Sequence, residues 1–380
     1  HGAFNICGMS NSAPFRNDFA TPDSFPPARG EFLESTAQLL EFLRETGRSA
    51  GAIASDSTGE EKGFPIRLTR YYAGLIDWND PEDPLRKMVW PHPLERVSKA
   101  YELRDPIGDA PHSPGPGLIH RYPDRCLLLT PYGCAVHCRF CFRRNRLAEP
   151  AAPMEAWLGY LRRHTEIREA IFSGADPLMM PEGELRRTIL EFKTIPHLKR
   201  FRFHTRVPIV APYRMTDSRV ETLALAAPCV VALHINHPRE WTTEARGAVG
   251  RLREAGIRLL SQTVLLKGVN DAAPILADLF CALSAEGVRP YYLHHLDWAA
   301  GTDRFRISIE RGLALFRELN DRLGEDVCPD YVVDLPGGFG KVPVMRLERL
   351  SGSRYRAPLP GGGSDYFDPA GAAEALEPPL

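Results

Sequence analysis

Short apolar runs alternate with longer amphipathic stretches through the middle of the chain. The apolar runs lie at 126–130, 170–173, 201–205, 230–235, 258–265 and 290–296. The stretches between and after these runs carry apolar residues at helical spacing. They lie at 154–166, 182–194, 216–226, 240–255, 272–287 and 307–322. Six strand–helix units, repeating at intervals of roughly 30 residues, indicate parallel strands joined by right-handed crossovers. The pattern predicts an α/β fold, a partial (βα)6 TIM-like barrel, because a complete barrel would need eight units.

The flanking segments differ in character from this alternating region. Residues 31–46 have helical spacing, whereas residues 1–30 have no period and are interpreted as a loose arm. Proline and aspartate are frequent in 64–123, which is typical of short helices and turns that pack on another body. The predicted organisation is an N-terminal arm and helix at 1–63, a helical and loop region at 64–123, the barrel at 124–322, a glycine-rich segment at 323–350 and a flexible tail at 351–380.

Composition and charge narrow the classes of function. The chain has 380 residues, with 47 Lys and Arg against 48 Asp and Glu, so its formal net charge is −1. A general binder of nucleic acid or of anionic membranes is usually more basic. The sequence has neither an apolar run that predicts a transmembrane helix nor, in 1–30, the pattern of a secretion signal. We therefore expect a cytoplasmic protein that binds neither nucleic acid nor membrane, and whose cysteines are thiols or ligands rather than disulfides.

Three of the eight cysteines crowd into one loop after the first predicted strand. Cys134, Cys138 and Cys141 form C-x3-C-x2-C, without the paired spacing of a zinc ribbon or a nearby fourth cysteine. Three thiolates at this spacing can hold three irons of a [4Fe-4S] cluster and leave the fourth iron open for a ligand. A zinc site or three buried thiols are the alternatives. The carboxyl end of a barrel strand, where active sites lie, favours the cluster.

Local motifs extend this pattern into a resemblance to a known family. C-x3-C-x2-C with an aromatic residue before the last cysteine resembles the signature of the radical S-adenosylmethionine enzymes. Further matches are HRYPDR, CRFCFRR, SGADPL, QTVLLKGVND, PYYLHHLD and YVVDLPGGFGKVPV, which occur in this order between about Phe64 and Val344. Together they resemble the lysine 2,3-aminomutase family. The resemblance implies a [4Fe-4S] cluster held by the three cysteines, S-adenosyl-L-methionine on its open iron, and pyridoxal 5′-phosphate.

The resemblance also implies residues that contact S-adenosylmethionine. Ser173, Gly174 and Asp176 match the segment that approaches the methionyl group, although Ala175 stands where a second glycine is usual. Gln262 would lie beside both organic cofactors. Two polar residues at the end of the fourth predicted strand either line the adenosine or are satisfied core residues; they are His234 and Asn236.

A lysine in the glycine-rich segment PGGFGK is the expected anchor of pyridoxal phosphate. Lys341 can form an imine with a carbonyl cofactor, and Val342 occupies the position where a phosphate-binding Walker motif has a hydroxyl residue. As an isolated motif, the segment would be a surface turn. By resemblance, Arg121, Tyr122 and Arg125 complete the cofactor pocket, where guanidinium groups suit a phosphate. Surface salt bridges are the alternative for both arginines.

A lysine substrate requires a cation for its carboxylate and anions for its side-chain ammonium. Arg143 matches the family's carboxylate-binding arginine, and Asp297 and Asp334 match its pair of ammonium-binding aspartates. An acidic pair would repel glutamate. Each aspartate could instead cap a helix or turn. His294 stands where a tyrosine is common in the family.

The resulting hypothesis is a radical aminomutase that converts L-lysine to β-lysine, an isomerase that depends on a low-potential electron donor such as flavodoxin or ferredoxin. The alternatives are the same chemistry on arginine, ornithine or glutamate, supply of β-lysine for modification of a translation factor, and a non-catalytic metal-binding relative. A homo-oligomer is possible. Well-known members carry a further zinc site on C-terminal cysteines, and this chain has no cysteine after Cys328.

Overall fold

The computed structural model describes residues 31–49, 53, 63–131, 133–145, 154–359 and 362–374. The predicted arm at 1–30 and most of residues 50–62, which follow the first helix, lie outside these residues. Within the described residues the chain forms a nine-stranded mixed sheet, a two-stranded sheet ahead of it and a three-stranded sheet after it.

The segment that precedes the large sheet is built of short elements: β1 (Phe32–Leu33), α1 (Thr36–Glu45), β2 (Leu68–Thr69), α2 (Arg70–Gly74) and α3 (Pro84–Val89). The helix predicted over 31–46 begins later than expected, because the Ser35 side chain caps it by accepting from the Gln38 backbone N–H. The residues before Ser35 pair with β2 instead. This segment packs on the barrel, where the Thr69 hydroxyl donates to the backbone carbonyl of Val210.

The large sheet confirms the predicted parallel strands and adds three. Its strands are β3 (Leu118–Tyr122), β4 (Arg125–Thr130), β5 (Glu169–Gly174), β6 (Arg200–Thr205), β7 (Cys229–His234), β8 (Arg258–Val264), β9 (Arg289–His294), β10 (Asp330–Leu335) and β11 (Gly340–Pro343). They are ordered β11-β10-β9-β8-β7-β6-β5-β4-β3. Strands β4 to β10 are parallel, and β3 and β11 are antiparallel edge strands. The sheet is therefore a partial barrel, as predicted, with one more parallel strand than the six expected.

Helices follow the parallel strands and cover the sheet: α4 (Met154–Arg163), α5 (Glu182–Lys193), α6 (Val207–Val210), α7 (Asp217–Ala224), α8 (Thr243–Glu254), α9 (Ala273–Ala285) and α10 (Ile309–Arg322). Their apolar stripes are buried; Leu185, Ile189 and Phe192 on α5 are fully enclosed. The two edge strands approach each other at one point, where the Lys341 backbone N–H lies 3.4 Å from the Tyr122 hydroxyl. Polar side chains of the inner face can therefore surround one cavity.

The last segment differs from the prediction of a flexible tail at 351–380. The described part contains β12 (Glu348–Ser351), β13 (Arg354–Leu359), β14 (Gly362–Phe367) and α11 (Pro369–Glu374). Strand β13 alternates exposed arginines with buried Tyr355 and Ala357, a period of two that the Gly- and Pro-rich composition obscured. Asp368 ties this segment to the barrel, since its carboxylate accepts from the Ile309 backbone N–H at 2.7 Å.

Candidate active site

One cavity of about 520 Å³ collects nearly all of the residues singled out in the sequence. Its lining includes Arg121, Tyr122, Arg125, Cys134, Cys138, Cys141, Arg143, Ser173, Gly174, Asp176, His234, Gln262, Asp297, Asp334 and Lys341. These residues come from seven of the nine strands and from the loops that follow them. Chemistry that needs thiols, an amine and carboxylates together can therefore occur in one enclosed space.

The three cysteines lie in the loop after β4, which the preceding segment holds in place. The Arg139 backbone N–H donates to the Met88 carbonyl and the His137 N–H to the Arg67 carbonyl, both at 2.8 Å. All three cysteines are free thiols. All three cysteines line the same cavity, so one metal centre can reach them together.

Burial and a buried arginine set the electrostatics of this loop. Burial raises the pKa of Cys134 well above its usual value and that of Cys141 to about 12, so a bound metal must displace their protons. Arg206, which follows β6, donates from Nη1 to Cys138 Sγ at 2.8 Å. Its other terminal nitrogen donates to Glu240, a fully buried carboxylate. A cation is thus fixed beside the sulfur that would bind iron.

Glu95 is a residue of this region that the sequence analysis missed. Its buried carboxylate accepts from Arg139, Arg144 and Arg304, two of which flank Cys141 in the chain. Burial opposes its ionisation, but Arg139 and the other cations hold the pKa of Glu95 below its ordinary value. No spacing in the sequence joins Glu95 to a loop more than 40 residues away, so the contact could not be found from a motif.

The segment expected to contact S-adenosylmethionine, residues 173–176, has two parts. Its first three residues face the cavity, and the carboxylate of Asp176 is buried. Ser173, Gly174 and Ala175 line the cavity, and Gly174 has φ +94°, where an added Cβ would lie 2.9 Å from Leu129 Cα. Asp176, by contrast, accepts from the Thr205 hydroxyl and from the backbone N–H groups of 178, 206 and 207. Because these donors occupy its carboxylate, Asp176 organises the loops after β5 and β6 rather than presenting a free anion to a ligand.

The residues at the end of β7 also separate into two roles. His234 lines the cavity, and burial lowers its pKa to about 3, so the ring is neutral. Asn236 is absent from the lining and fully buried, and its Oδ1 accepts from the Val264 backbone N–H at 2.8 Å. The structure therefore supports the satisfied-core interpretation for Asn236, since its side chain is committed to the adjacent strand β8.

Lys341 and Asp334 form a cross-strand pair in the antiparallel register of β10 and β11. The Lys341 ammonium donates to Asp334 Oδ1 at 3.0 Å. Burial disfavours both charges, but each holds the other, so the pKa of Lys341 is raised and that of Asp334 is lowered. The glycine-rich turn between the strands allows this pairing: Gly340 has φ +87°, and a Cβ there would lie 2.6 Å from the Tyr122 hydroxyl.

Two arginines and an aspartate form a second charged group in the cavity. Arg121 Nη2 donates to Asp109 Oδ1 at 3.1 Å, and Arg143 Nη1 donates to Asp109 Oδ2. Asp109 is 2% exposed and was missed by the sequence analysis, which had no motif to mark it. Arg121 Nε is buried without a partner in the described residues, a donor that a phosphate oxygen could satisfy. Arg125 also lines the cavity but pairs with Asp124 at the surface.

A second aspartate and two histidines complete the charged and polar lining of the cavity. Asp297 lies in the same cavity, where burial and the neighbouring Asp334 charge raise its pKa. His294 Nδ1 is 3.7 Å from Asp334 Oδ2, so the histidine found in place of a tyrosine contacts the acidic pair. His204, another cavity residue that the sequence analysis did not select, has a buried Nε2 without a partner among described residues.

The remaining cysteines stay away from this centre. Cys126, Cys229 and Cys328 are free thiols. Cys281, half-buried on α9, is disulfide-bonded, so the expectation that the cysteines are thiols or ligands is wrong at this position. Cys7 lies outside the described residues.

The fold and the three-cysteine loop define a class of protein. A family model described as the radical SAM superfamily matches residues 128–280, which span β4 to most of α9. The match includes the three-cysteine loop and strands β5 to β8, whereas β3 and β9 to β11 lie outside it. No helix among the described residues is long and apolar enough to cross a membrane.

Curated relatives narrow the class. The chain is 38% identical to an L-lysine 2,3-aminomutase of Clostridium subterminale, over 82% of this chain and 76% of that one. It is 37% identical to the L-lysine 2,3-aminomutase of Escherichia coli K12, over 84% of this chain and 95% of that one. It is 38% identical to the L-lysine 2,3-aminomutase of Methanococcus maripaludis, over 74% of this chain and 66% of that one. The chain belongs to the L-lysine 2,3-aminomutase family and is an isomerase.

Family membership implies a [4Fe-4S] cluster, S-adenosylmethionine and pyridoxal phosphate, and the cavity residues fit these groups. Three free thiols that come from one loop and face the same cavity suit the cluster. The unpartnered Arg121 Nε and the Lys341 amine suit a phosphorylated carbonyl cofactor. Ser173, Gly174 and Gln262 line the same cavity as the three cysteines, which suits S-adenosylmethionine beside the cluster.

Proposed function

We propose that this protein moves the α-amino group of L-lysine to the β-carbon and forms β-lysine. The observation that carries the proposal is the placement of Asp297 and Asp334 in the same buried cavity as Arg143 and Lys341. A lysine molecule brings a carboxylate and a side-chain ammonium into this cavity. Each charge is costly to bury unless it meets an opposite one.

The acidic pair supports a cationic substrate. Without a substrate, Asp334 is held by Lys341, whereas burial and the charge of Asp334 favour the protonated form of Asp297. A substrate ammonium would supply the missing positive charge and favour ionisation of Asp297. A glutamate side chain would add a third carboxylate to the same space, which is unfavourable.

Arg143 is proposed to hold the substrate carboxylate at the other end. Its guanidinium is buried and one of its nitrogens is fixed by Asp109, so the group is oriented before a substrate arrives. A guanidinium can bind a carboxylate through two parallel hydrogen bonds. The substrate would then lie with its α-carboxylate at Arg143 and its ammonium at the acidic pair, which positions the β-carbon between them.

The cofactors supply the hard chemistry and the chain supplies position and enclosure. When bound, the cluster and S-adenosylmethionine provide a radical that abstracts hydrogen, and pyridoxal phosphate provides the carbonyl group that carries the migrating nitrogen. Lys341 is proposed to hold pyridoxal phosphate, with Arg121, Arg125 and Tyr122 around it. A cavity filled by the substrate and the cofactors would exclude water from the reacting atoms.

A competition among amino acids tests the proposal. The full chain is reconstituted anaerobically with iron and sulfide and supplied with S-adenosylmethionine, pyridoxal phosphate and a chemical reductant. An equimolar pool of lysine, arginine, ornithine and glutamate is added, and the β-amino acids formed are measured by mass spectrometry. We expect β-lysine as the main product, because arginine and ornithine carry the same terminal charge on chains of a different length.

Two variants connect the result to the acidic pair. Asp297→Asn should lower kcat/KM for lysine by roughly 100-fold, the effect of leaving a buried charge without its partner. Asp330→Asn, an exposed position on the same strand as Asp334, is the matched control and should be unaffected. A main product other than β-lysine, or equal losses in both variants, would contradict the proposal.

A further inference from the structure

A second group of ligand-type side chains lies on the outer side of the barrel. His120 is in β3, His164 follows α4 and Glu166 lies in the turn before β5. One ligand atom from each residue lies within 4.8 Å of the other two. His120 is absent from the cavity lining and contacts Tyr160 of α4 and His164, so its side chain points to the outer face of the strand.

His120 has a nitrogen that nothing in the described residues satisfies. Its Nε2 is buried without a hydrogen-bond partner, while Nδ1 lies 2.8 Å from the Tyr160 hydroxyl. Metal-binding histidines are commonly oriented in this way, with one ring nitrogen hydrogen-bonded to an outer group and the other on the metal. The His120 ring is further fixed by edge contacts with Tyr160 and His164.

His164 and Glu166 bring the remaining two ligands and an opening to solvent. His164 Nδ1 lies 2.8 Å from Glu166 Oε1, and their side chains are 35% and 50% exposed. An ion pair between these two residues would explain their own contact. It would leave the buried nitrogen of His120 unexplained.

We propose that His120, His164 and Glu166 bind one divalent transition-metal ion, with zinc as the best fit. Two imidazoles and a carboxylate are a common ligand set for zinc, with the fourth position left to water. The site is separate from the three-cysteine loop and from the cavity. It does not depend on the proposed lysine chemistry.

The position of the site indicates a structural role. A metal there joins edge strand β3 to the end of α4 and to the turn before β5. Arg121 and Tyr122, the next two residues of β3, line the cavity on the inner face. Metal binding would therefore stabilise the edge of the barrel that carries the proposed phosphate-binding arginine, because an ion bound only in the folded state adds to its stability.

Zinc binding to the full chain with its iron–sulfur cluster in place tests the proposal. Zinc is titrated anaerobically, bound zinc and iron are counted by mass spectrometry, and the unfolding temperature is followed. We expect one zinc per chain with unchanged iron and a higher unfolding temperature. His164→Gln and Glu166→Gln should each weaken zinc binding by at least about tenfold, since each removes one of three ligands.

Glu155→Gln, an exposed acidic residue at the start of α4, is the matched control and should bind zinc as the wild type does. Both ligand substitutions lie at partly exposed positions, so they should leave the fold and the iron content intact. The proposal is overturned if the wild type binds no zinc while its iron is retained. Equal zinc affinity in His164→Gln and wild type would overturn it as well.

Discussion

The cavity has two halves that are built in different ways. The cluster half consists of Cys134, Cys138 and Cys141 with Asp176 and Arg206 beside them. Its thiols come from one short loop, and its polar neighbours follow the adjacent strands β5 and β6. Asp176 is satisfied mainly by backbone N–H groups of these loops.

The substrate half consists of Asp109, Arg121, Arg143, Asp334 and Lys341. These residues come from separate parts of the chain, and side chains of opposite charge hold one another. Asp109 joins two guanidiniums, and Asp334 holds the Lys341 ammonium. A charge removed here leaves its partner buried and unpaired, whereas the Asp176 carboxylate of the cluster half is held mainly by backbone N–H groups. The buried pair of Arg206 and Glu240 is the counterpart of these charge pairs in the cluster half.

The largest expected effect is that of Lys341→Ala. Removal of the amine should abolish β-lysine formation and the covalent attachment of pyridoxal phosphate after borohydride treatment, because no other cavity lysine replaces it in the described residues. Iron content should equal that of the wild type. Lys267→Ala, at an exposed position, is the control. Retained attachment of the cofactor in Lys341→Ala would refute the assigned role.

Asp109→Ala tests whether the charges of the substrate half depend on one another. Loss of the shared carboxylate should free both Arg121 and Arg143 and lower kcat/KM for lysine by roughly 100-fold, or about 2.7 kcal/mol. Asp124→Ala also removes an arginine partner, but the Asp124 side chain is 50% exposed. It should change kcat/KM by less than about threefold. Similar losses in the two variants would show that burial of the pair is not what matters.

The same difference explains how much could be predicted from the sequence. The alternating pattern predicted six parallel strands, and a local motif identified the three cysteines. The pattern did not predict strand β10, because the segment was interpreted from the glycine-rich turn that follows it. Asp109 and Glu95 could not be found, since their roles arise only when distant segments pack together. Asp176 was expected to contact a ligand, and Asn236 either to line the adenosine or to lie in the core. Only the folded chain shows which groups occupy these two side chains.

Substrate affinity should depend on pH through Asp297. Burial and the Asp334 charge raise the pKa of Asp297, so the carboxyl holds its proton over a wider pH range than an exposed aspartate. The proton must leave before the group can bind an ammonium. The KM for lysine should therefore fall as pH rises through this pKa, by up to about tenfold per pH unit. In Asp297→Asn the corresponding rise of kcat/KM with pH should be absent. If the rise persists in this variant, the titration belongs to another group.

Without substrate, the raised pKa of Asp297 makes the folded protein less stable as pH rises, whereas substrate binding becomes stronger. Because the folded-state pKa of Asp297 lies above its unfolded value, this group's contribution to stability is complete at low pH and declines as pH rises through the folded pKa. Thermal unfolding with and without lysine across this range separates the two effects. Lysine should raise the unfolding temperature more at the higher pH.

The smallest effect is expected from Arg206→Lys in the cluster half. An arginine can reach Cys138 Sγ and Glu240 together, whereas one lysine ammonium placed to neutralise Glu240 should lose the sulfur contact. Hydrogen bonds to cluster sulfurs raise the reduction potential, so the variant should have a more negative midpoint by on the order of 50 mV, or about 1.2 kcal/mol for one electron. Redox titration followed by electron paramagnetic resonance measures the midpoint potential.

Arg200→Lys is the control, because the Arg200 side chain on β6 is 44% exposed. An unchanged potential with full iron content in Arg206→Lys would mean that Arg206 serves only to neutralise Glu240.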